Sequence, residues 1–169
     1  GLEDPWRYRN KVELTFGQRD GALLLGYHAS RSFWRIVDWE DCRLLPESVG
    51  RIARELRRLA EQTGLPAYHP RTHQGFFRHL LIRHSHATGH TLLGLITAPG
   101  PRETVEAMAR TVCERHPAVT SFYWGLTSRL ADVAVPEELI LLRGSPHLED
   151  HIGPFRLQLQ PLSFLQPCS

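Results

Sequence analysis

Trp6-Arg7-Tyr8-Arg9-Asn10-Lys11 packs three cations and two aromatic rings into six positions. Aromatic rings stack on unstacked bases and cations hold phosphates, so this combination suits RNA. A charged start to a strand has the same composition and is common on protein surfaces. A second cluster is rich in histidine: His69, His73, His79, His84, His86 and His90. His84 and His86 alternate onto one face of an extended segment, as two ligands of a metal would. No third ligand follows at a recognised spacing. The plainer reading is exposed or sheet-packing histidines, and no metal site is assigned. A histidine-rich metal-binding protein stays as an alternative.

Cys42, Cys113 and Cys168 are scattered and form no CxxC pair, which points to neither a zinc site nor a redox motif. Cys113 falls on an apolar helical stripe and is expected to be a buried small hydrophobe. Cys168 is expected to be an unpaired thiol. The net charge is +2 and the pI near 8.6, a mild balance that identifies no partner. Lys11 is the single lysine among the 20 cations, so the rest are arginines. Arginine pairs bidentately with phosphate and stacks on bases. A GC-rich genome produces the same bias. With 169 residues, 41% hydrophobic and 22% charged, the chain has ordinary globular composition and enough length to bury a core. No apolar run reaches the roughly 20 residues of a membrane span. No charged-then-apolar leader is visible. A cytoplasmic protein with no membrane partner is expected.

The elements that position these residues follow from periodicity. Val12, Leu14 and Phe16 alternate with Lys11, Glu13 and Thr15, which predicts a strand with one buried face. Asp20-Gly21 signals a hairpin, with Leu23, Leu25 and Tyr27 on the return. A short third strand is expected from Trp34 to Val37. Pro46 opens a helix with Val49, Ile52, Ala53, Leu56, Leu59 and Ala60 on one stripe, ended by Gly64 and Pro66. Its far side carries Arg51, Arg54, Arg57 and Arg58, a face that is usually just solvated. Residues 76–83 and 91–97 read as paired strands. A second helix begins near Pro101 with Val105, Met108, Ala109 and Val112 as its stripe, and Pro117 stops it. Residues 119–126, 139–143 and 155–160 read as further strands. Short hairpin turns force antiparallel neighbours, and the helices must cover one face to bury their stripes. The expected fold is α+β: a largely antiparallel sheet of about seven or eight strands with two main helices on one face. No GxGxxG and no regular strand–helix alternation suggest a dinucleotide-type fold.

Four stretches add a resemblance. Tyr8-Arg9-Asn10-Lys11 leads an alternating strand. Ile36-Val37-Asp38-Trp39-Glu40-Asp41-Cys42-Arg43-Leu44-Leu45-Pro46 fits the pattern I-V-D-x-x-x-C-x-L-x-P. Gly75 to Arg83 fits G-x-x-R-x-L-x-I-R, and Leu162-Ser163-Phe164-Leu165-Gln166 is similar to an S-F-F-Q-V-N turn. In this order they resemble the central domain of the RNA 5-methyluridine methyltransferases, which act on 23S rRNA or tRNA. The resemblance implies a central α+β domain at 1–160. Residues 161–169 would begin the connection to a Rossmann-like catalytic domain.

The family's reaction moves a methyl group from S-adenosylmethionine to C5 of a uridine. A cysteine attacks C6 and a carboxylate base later takes the C5 proton. By resemblance both groups are expected beyond Ser169, so no catalytic residue is assigned here. None of Cys42, Cys113 or Cys168 inherits the nucleophile's role, and the chain alone is expected to be inactive. Gln166 matches the glutamine that touches the methyl donor, and Phe164 the aromatic near the flipped base. Arg7 and Arg9 match basic positions at the domain entrance, where they and the adjacent Lys11 would hold phosphates. Arg78 is a further candidate for RNA contact, although an arginine on a strand often pairs with a carboxylate instead, as does Arg83. An iron–sulfur cluster upstream is possible in such a parent protein, and no cofactor is expected on this segment. A stand-alone, non-catalytic RNA-binding module is the other alternative. The apolar stretch from Phe155 to Leu165 is expected to be exposed and to favour self-association.

Overall fold

The computed structural model describes residues 6–32, 34–39 and 42–165. Strand β1 (Lys11–Arg19) turns at Asp20 and Gly21 into β2 (Ala22–His28). Both turn residues have positive φ, 52° and 85°, which matches the right-handed twist of the flanking strands. The short β3 (Ile36–Asp38) follows, then helix α1 (Glu47–Gln62). Strands β4 (Phe77–His84) and β5 (Thr91–Thr97) lead to helix α2 (Arg102–Arg115) and to β6 (Val119–Leu126). Strand β7 (Glu138–Gly144), β8 (Leu148–Ile152) and β9 (Phe155–Leu159) complete the order.

Seven strands form one sheet in the order β3-β2-β1-β4-β5-β6-β7, and β8 and β9 pair separately. The sheet is antiparallel except for β5 and β6, which α2 joins as a crossover. Both helices cover one face. There Val12, Leu14, Phe16, Leu80, Ile82, Leu93, Leu95 and Phe122 meet Val49, Ile52, Leu56, Val105 and Val112 in one buried cluster. The α+β expectation with helices on one face is therefore correct. Three of the four α1 arginines pair with carboxylates: Arg51 with Glu47, Arg57 with Asp38 and Glu61, and Arg58 with Glu55. The α1 C-terminus closes as expected. The Thr63 hydroxyl donates to the Ala60 carbonyl at 2.7 Å and Gly64 follows at φ 71°.

Strand β8 is absent from the periodicity reading. Leu148-Glu149-Asp150-His151-Ile152 is too polar to show a run, and its pairing with β9 creates it. This hairpin does not extend the main sheet. It lies across the face away from the helices, where Leu148 and Leu159 bury with Leu81, Leu92 and Tyr123. That second cover explains why β4 and β5 are buried along their whole length.

Candidate nucleic-acid interface

The face opposite the helices is read along β1. Lys11, Glu13 and Thr15 stand opposite Arg83, Leu81 and His79 of β4. Directly opposed residues share a face, so these six form one row pair. Lys11 to Thr15 spans about 13 Å at strand rise.

At the Lys11 end, the leading segment is zipped to the loop before α1. The Arg7 amide donates to the Arg43 carbonyl at 2.7 Å and the Arg9 amide to the Leu44 carbonyl at 2.9 Å. Arg7 takes a positive φ of 59°, which breaks the strand alternation there. Trp6 is 47% exposed, and the Arg43 guanidinium stands 5.6 Å from its ring centroid. Trp6, Arg7, Arg43 and Arg54 line a hollow of about 630 Å³ in which Glu47 is the one acidic side chain among the described residues. Arg7 is exposed and Arg9 half-buried, and neither has a carboxylate partner among the described residues. Lys11 is held by Glu13 at 2.7 Å. Of the three cations, Arg7 lines this hollow, whereas Lys11 stands beside Arg83 on the face away from the helices.

Beside Lys11, Arg83 is 2% exposed and points into the last described turn. Its Nε donates to the Pro161 carbonyl at 3.0 Å, and a terminal nitrogen donates to the Ser163 carbonyl. Burial pulls its proton affinity below the usual guanidinium value, opposed by Glu13. Arg83 does not lock the sheet through a carboxylate, as strand arginines often do. It clasps backbone carbonyls on either side of Leu162. Phe164 follows at 94% exposure, while Leu165 packs against the Leu81 cluster. Ile152, Phe155 and Leu162 are exposed at 46%, 69% and 44%, so much of the apolar stretch at the hairpin is uncovered. Gln166 and Cys168 lie outside the described residues, as do Glu40 and Asp41 of the second motif.

The expectation of RNA contact at Arg78 meets a different environment. Arg78 is 1% exposed. Its guanidinium donates to the Arg129 and Ala131 carbonyls at 2.6 and 2.7 Å and stacks 3.9 Å above the Tyr68 ring. Asp132 lies 4.0 Å from it. The side chain is committed to the loop between β6 and β7, because a bulge between Phe77 and His79 turns it under that loop. Asp132 also sits 3.1 Å from His79 Nε2 and 3.6 Å from His28 Nε2. Thr15 Oγ1 is 3.2 Å from His79 Nδ1 and 3.4 Å from His28 Nε2. Burial alone would raise the Asp132 carboxyl, but His79, His28 and Arg78 outweigh it and hold the group below its ordinary value. The sequence reading did not find this knot. Its members are separated by up to 117 positions along the chain, from Thr15 to Asp132, and nothing local signals it.

The histidine cluster divides. His84 is buried and its Nδ1 lies 3.1 Å from Thr91 Oγ1, while exposed His86 meets it edge to face at 5.2 Å. Among the described residues no group of three metal-ligating side chains converges. Burial, then His86, holds the His84 imidazole down at about 4, with Asp150 opposing and His90 adding. The unfolded chain therefore takes up a proton near pH 6.5 that the folded chain refuses until about 4. The stabilisation is complete above pH 6.5 and is lost as pH falls toward 4. Between pH 7 and pH 5 we expect a loss of about 1–2 kcal/mol after allowing for solvent screening. His84→Asn, which cannot bind the proton, should flatten that difference in urea denaturation at the two pH values. His116 is lowered too, by burial first, so the variant removes only the His84 share.

No protein-family model matches the chain. An uncharacterized RNA methyltransferase of Clostridium tetani is 31% identical over 166 residues, covering 98% of this chain and 36% of that protein. One of Halalkalibacterium halodurans is 28% identical over the same shares. The chain thus spans about a third of the length of the curated relatives it matches. Among solved structures, the tRNA (uracil-54, C5)-methyltransferase of Pyrococcus abyssi, in complex with S-adenosyl-L-homocysteine, has a similar fold. The TM-score is 0.76 at 17% identity, over 98% of this chain and 38% of that one. At that identity the likeness is one of fold. The resemblance carried by the four motifs is borne out: over nearly its whole length, this chain is related to a segment of the RNA methyltransferases.

Proposed function

We propose that this chain is the RNA-holding part of an S-adenosylmethionine-dependent RNA (uracil-C5)-methyltransferase acting on rRNA or tRNA in the cytoplasm. The observation that carries the reading is Phe164, almost fully exposed on a turn clasped by buried Arg83, whose strand neighbour is Lys11. An exposed ring on a fixed mount suits stacking against a base that has left its helix. Lys11 supplies a phosphate contact beside it, and Arg7 and Arg9 supply others along the leading segment. Arg78 serves this surface indirectly, by fixing the loop that carries Asp132.

The described residues do not fit the methyl donor. Helix α1 starts from Pro46, and Gly100 before α2 is spent on packing, since a Cβ there would strike the Phe76 ring. Neither helix start offers a glycine-rich cradle. The methyl donor, when bound, would supply the electrophilic carbon. Contact from Gln166, the domain division at residue 160 and an upstream iron–sulfur cluster belong to the same proposal. So does self-association through the apolar stretch from Phe155 to Leu165.

Fluorescence anisotropy with a single-stranded oligoribonucleotide tests this. With about three phosphate contacts, affinity should fall roughly tenfold to twentyfold between 50 and 200 mM salt. Replacing Arg7, Arg9 and Lys11 together by alanine should remove most of that slope. RNA binding that ignores salt, or none at millimolar protein, would overturn the reading. Turnover of labelled methyl groups by this chain alone would overturn the assignment of chemistry to other residues.

A further inference from the structure

The row pair that begins at Lys11 ends in a cleft with its own chemistry. Thr15, His28, Trp34, Arg35, Tyr68 and Asp132 line about 340 Å³ between the β1–β2 hairpin and the loop after α1. That volume is at the small end of ligand pockets, enough for one base and sugar and too small for a duplex. Arg19 and Arg35 stand at its edge, exposed, with no carboxylate partner among the described residues. Trp34 is 44% exposed, and the Arg71 guanidinium lies 3.9 Å over its ring, so the wall is both aromatic and cationic. The floor is polar and mixed. The Asp132 carboxylate accepts hydrogen bonds, while the Thr15 hydroxyl and the His28 ring can donate or accept.

Phosphate-seeking arginines at the rim, an aromatic wall and donor–acceptor groups below are the three contacts a nucleotide requires. We propose that the cleft receives one unstacked nucleotide of the bound RNA, a few nucleotides along the strand from Phe164. The proposal rests on the RNA-holding reading above. Glu13 between the two ends is paired with Lys11, and Asp132 lies 4.0 Å from the Arg78 guanidinium, so the path is not closed to a polyanion.

The test uses this chain and a single-stranded oligoribonucleotide at fixed salt, with uridine monophosphate as competitor. Trp34→Ala should weaken binding about tenfold while leaving the salt slope unchanged, because stacking is lost and no counterion is involved. Trp34→Phe should retain most of the affinity, which separates stacking from misfolding. Arg35→Ala should weaken binding and lower the slope by about 0.7. Uridine monophosphate binding that Trp34→Ala abolishes, with RNA affinity unchanged in that variant, would reassign the cleft to a free metabolite. That result overturns the proposal. So does wild-type affinity in Trp34→Ala and Arg35→Ala, and if the Arg7, Arg9 and Lys11 variant still weakens binding the RNA-holding reading survives. Absence of RNA binding by the unaltered chain overturns both.

Discussion

Arg78→Met should cost about 3 kcal/mol of stability and release the loop between β6 and β7. The guanidinium is the one donor to the Arg129 and Ala131 carbonyls among the described residues, and it stands beside half-buried Asp132. Methionine fills the volume but leaves two carbonyls without a donor and the carboxylate with only histidines around it. Arg78→Lys should recover little, because one ammonium does not reproduce a fork that reaches both carbonyls and stacks on Tyr68. Urea denaturation reads the stability, and limited proteolysis within 127–137 reads the loop. If the methionine variant instead kept full stability and lost only RNA affinity, Arg78 would be an RNA ligand and the structural role would be wrong.

Gly75→Ala should be strongly destabilising, by about 3 kcal/mol or more. Gly75 has φ 114°, and a Cβ there would fall on the Ala67 carbonyl. That close approach lets the Phe76 amide reach the Pro66 carbonyl at 2.8 Å and the Tyr68 amide reach Phe77 at 2.8 Å. The contacts fold residues 66–77 back on themselves and set Tyr68 in the cleft. Gly21→Ala is the control. Its φ is 85° but no atom stands within 4 Å of its Cβ position, so only the roughly 1 kcal/mol of left-handed strain applies. Equal denaturation midpoints for the two variants would show that the backbone contact at Gly75 carries no weight.

The reasons for legibility differ from element to element. The Val49-to-Ala60 stripe and the Asp20-Gly21 turn were readable because each is fixed by neighbours within a few residues. Strand β8 was not, because its residues are polar and its one partner is β9. The site divides in the same way. Arg7, Arg9 and Lys11 stand out in the sequence as a local cluster, but in the structure Arg7 lines a hollow beside α1 and Lys11 lies against Arg83 on the other face. The difference between Arg78 and Arg83, five residues apart on one strand, was invisible in the sequence. A bulge sends the first under one loop, while regular pairing aims the second into another. The Thr15, His28 and Asp132 grouping exists only once the sheet has formed.

Strand β4, from which Arg83 reaches the Pro161 and Ser163 carbonyls, is flanked by β1 and β5. The clasped turn therefore shares the stiffness of the molecule's interior instead of swinging like a tail. Under the proposed function, a ring mounted on it would be aimed before RNA arrives. Little additional ordering should then be charged to the encounter, and selectivity at that spot comes from the angle of approach more than from strength of grip.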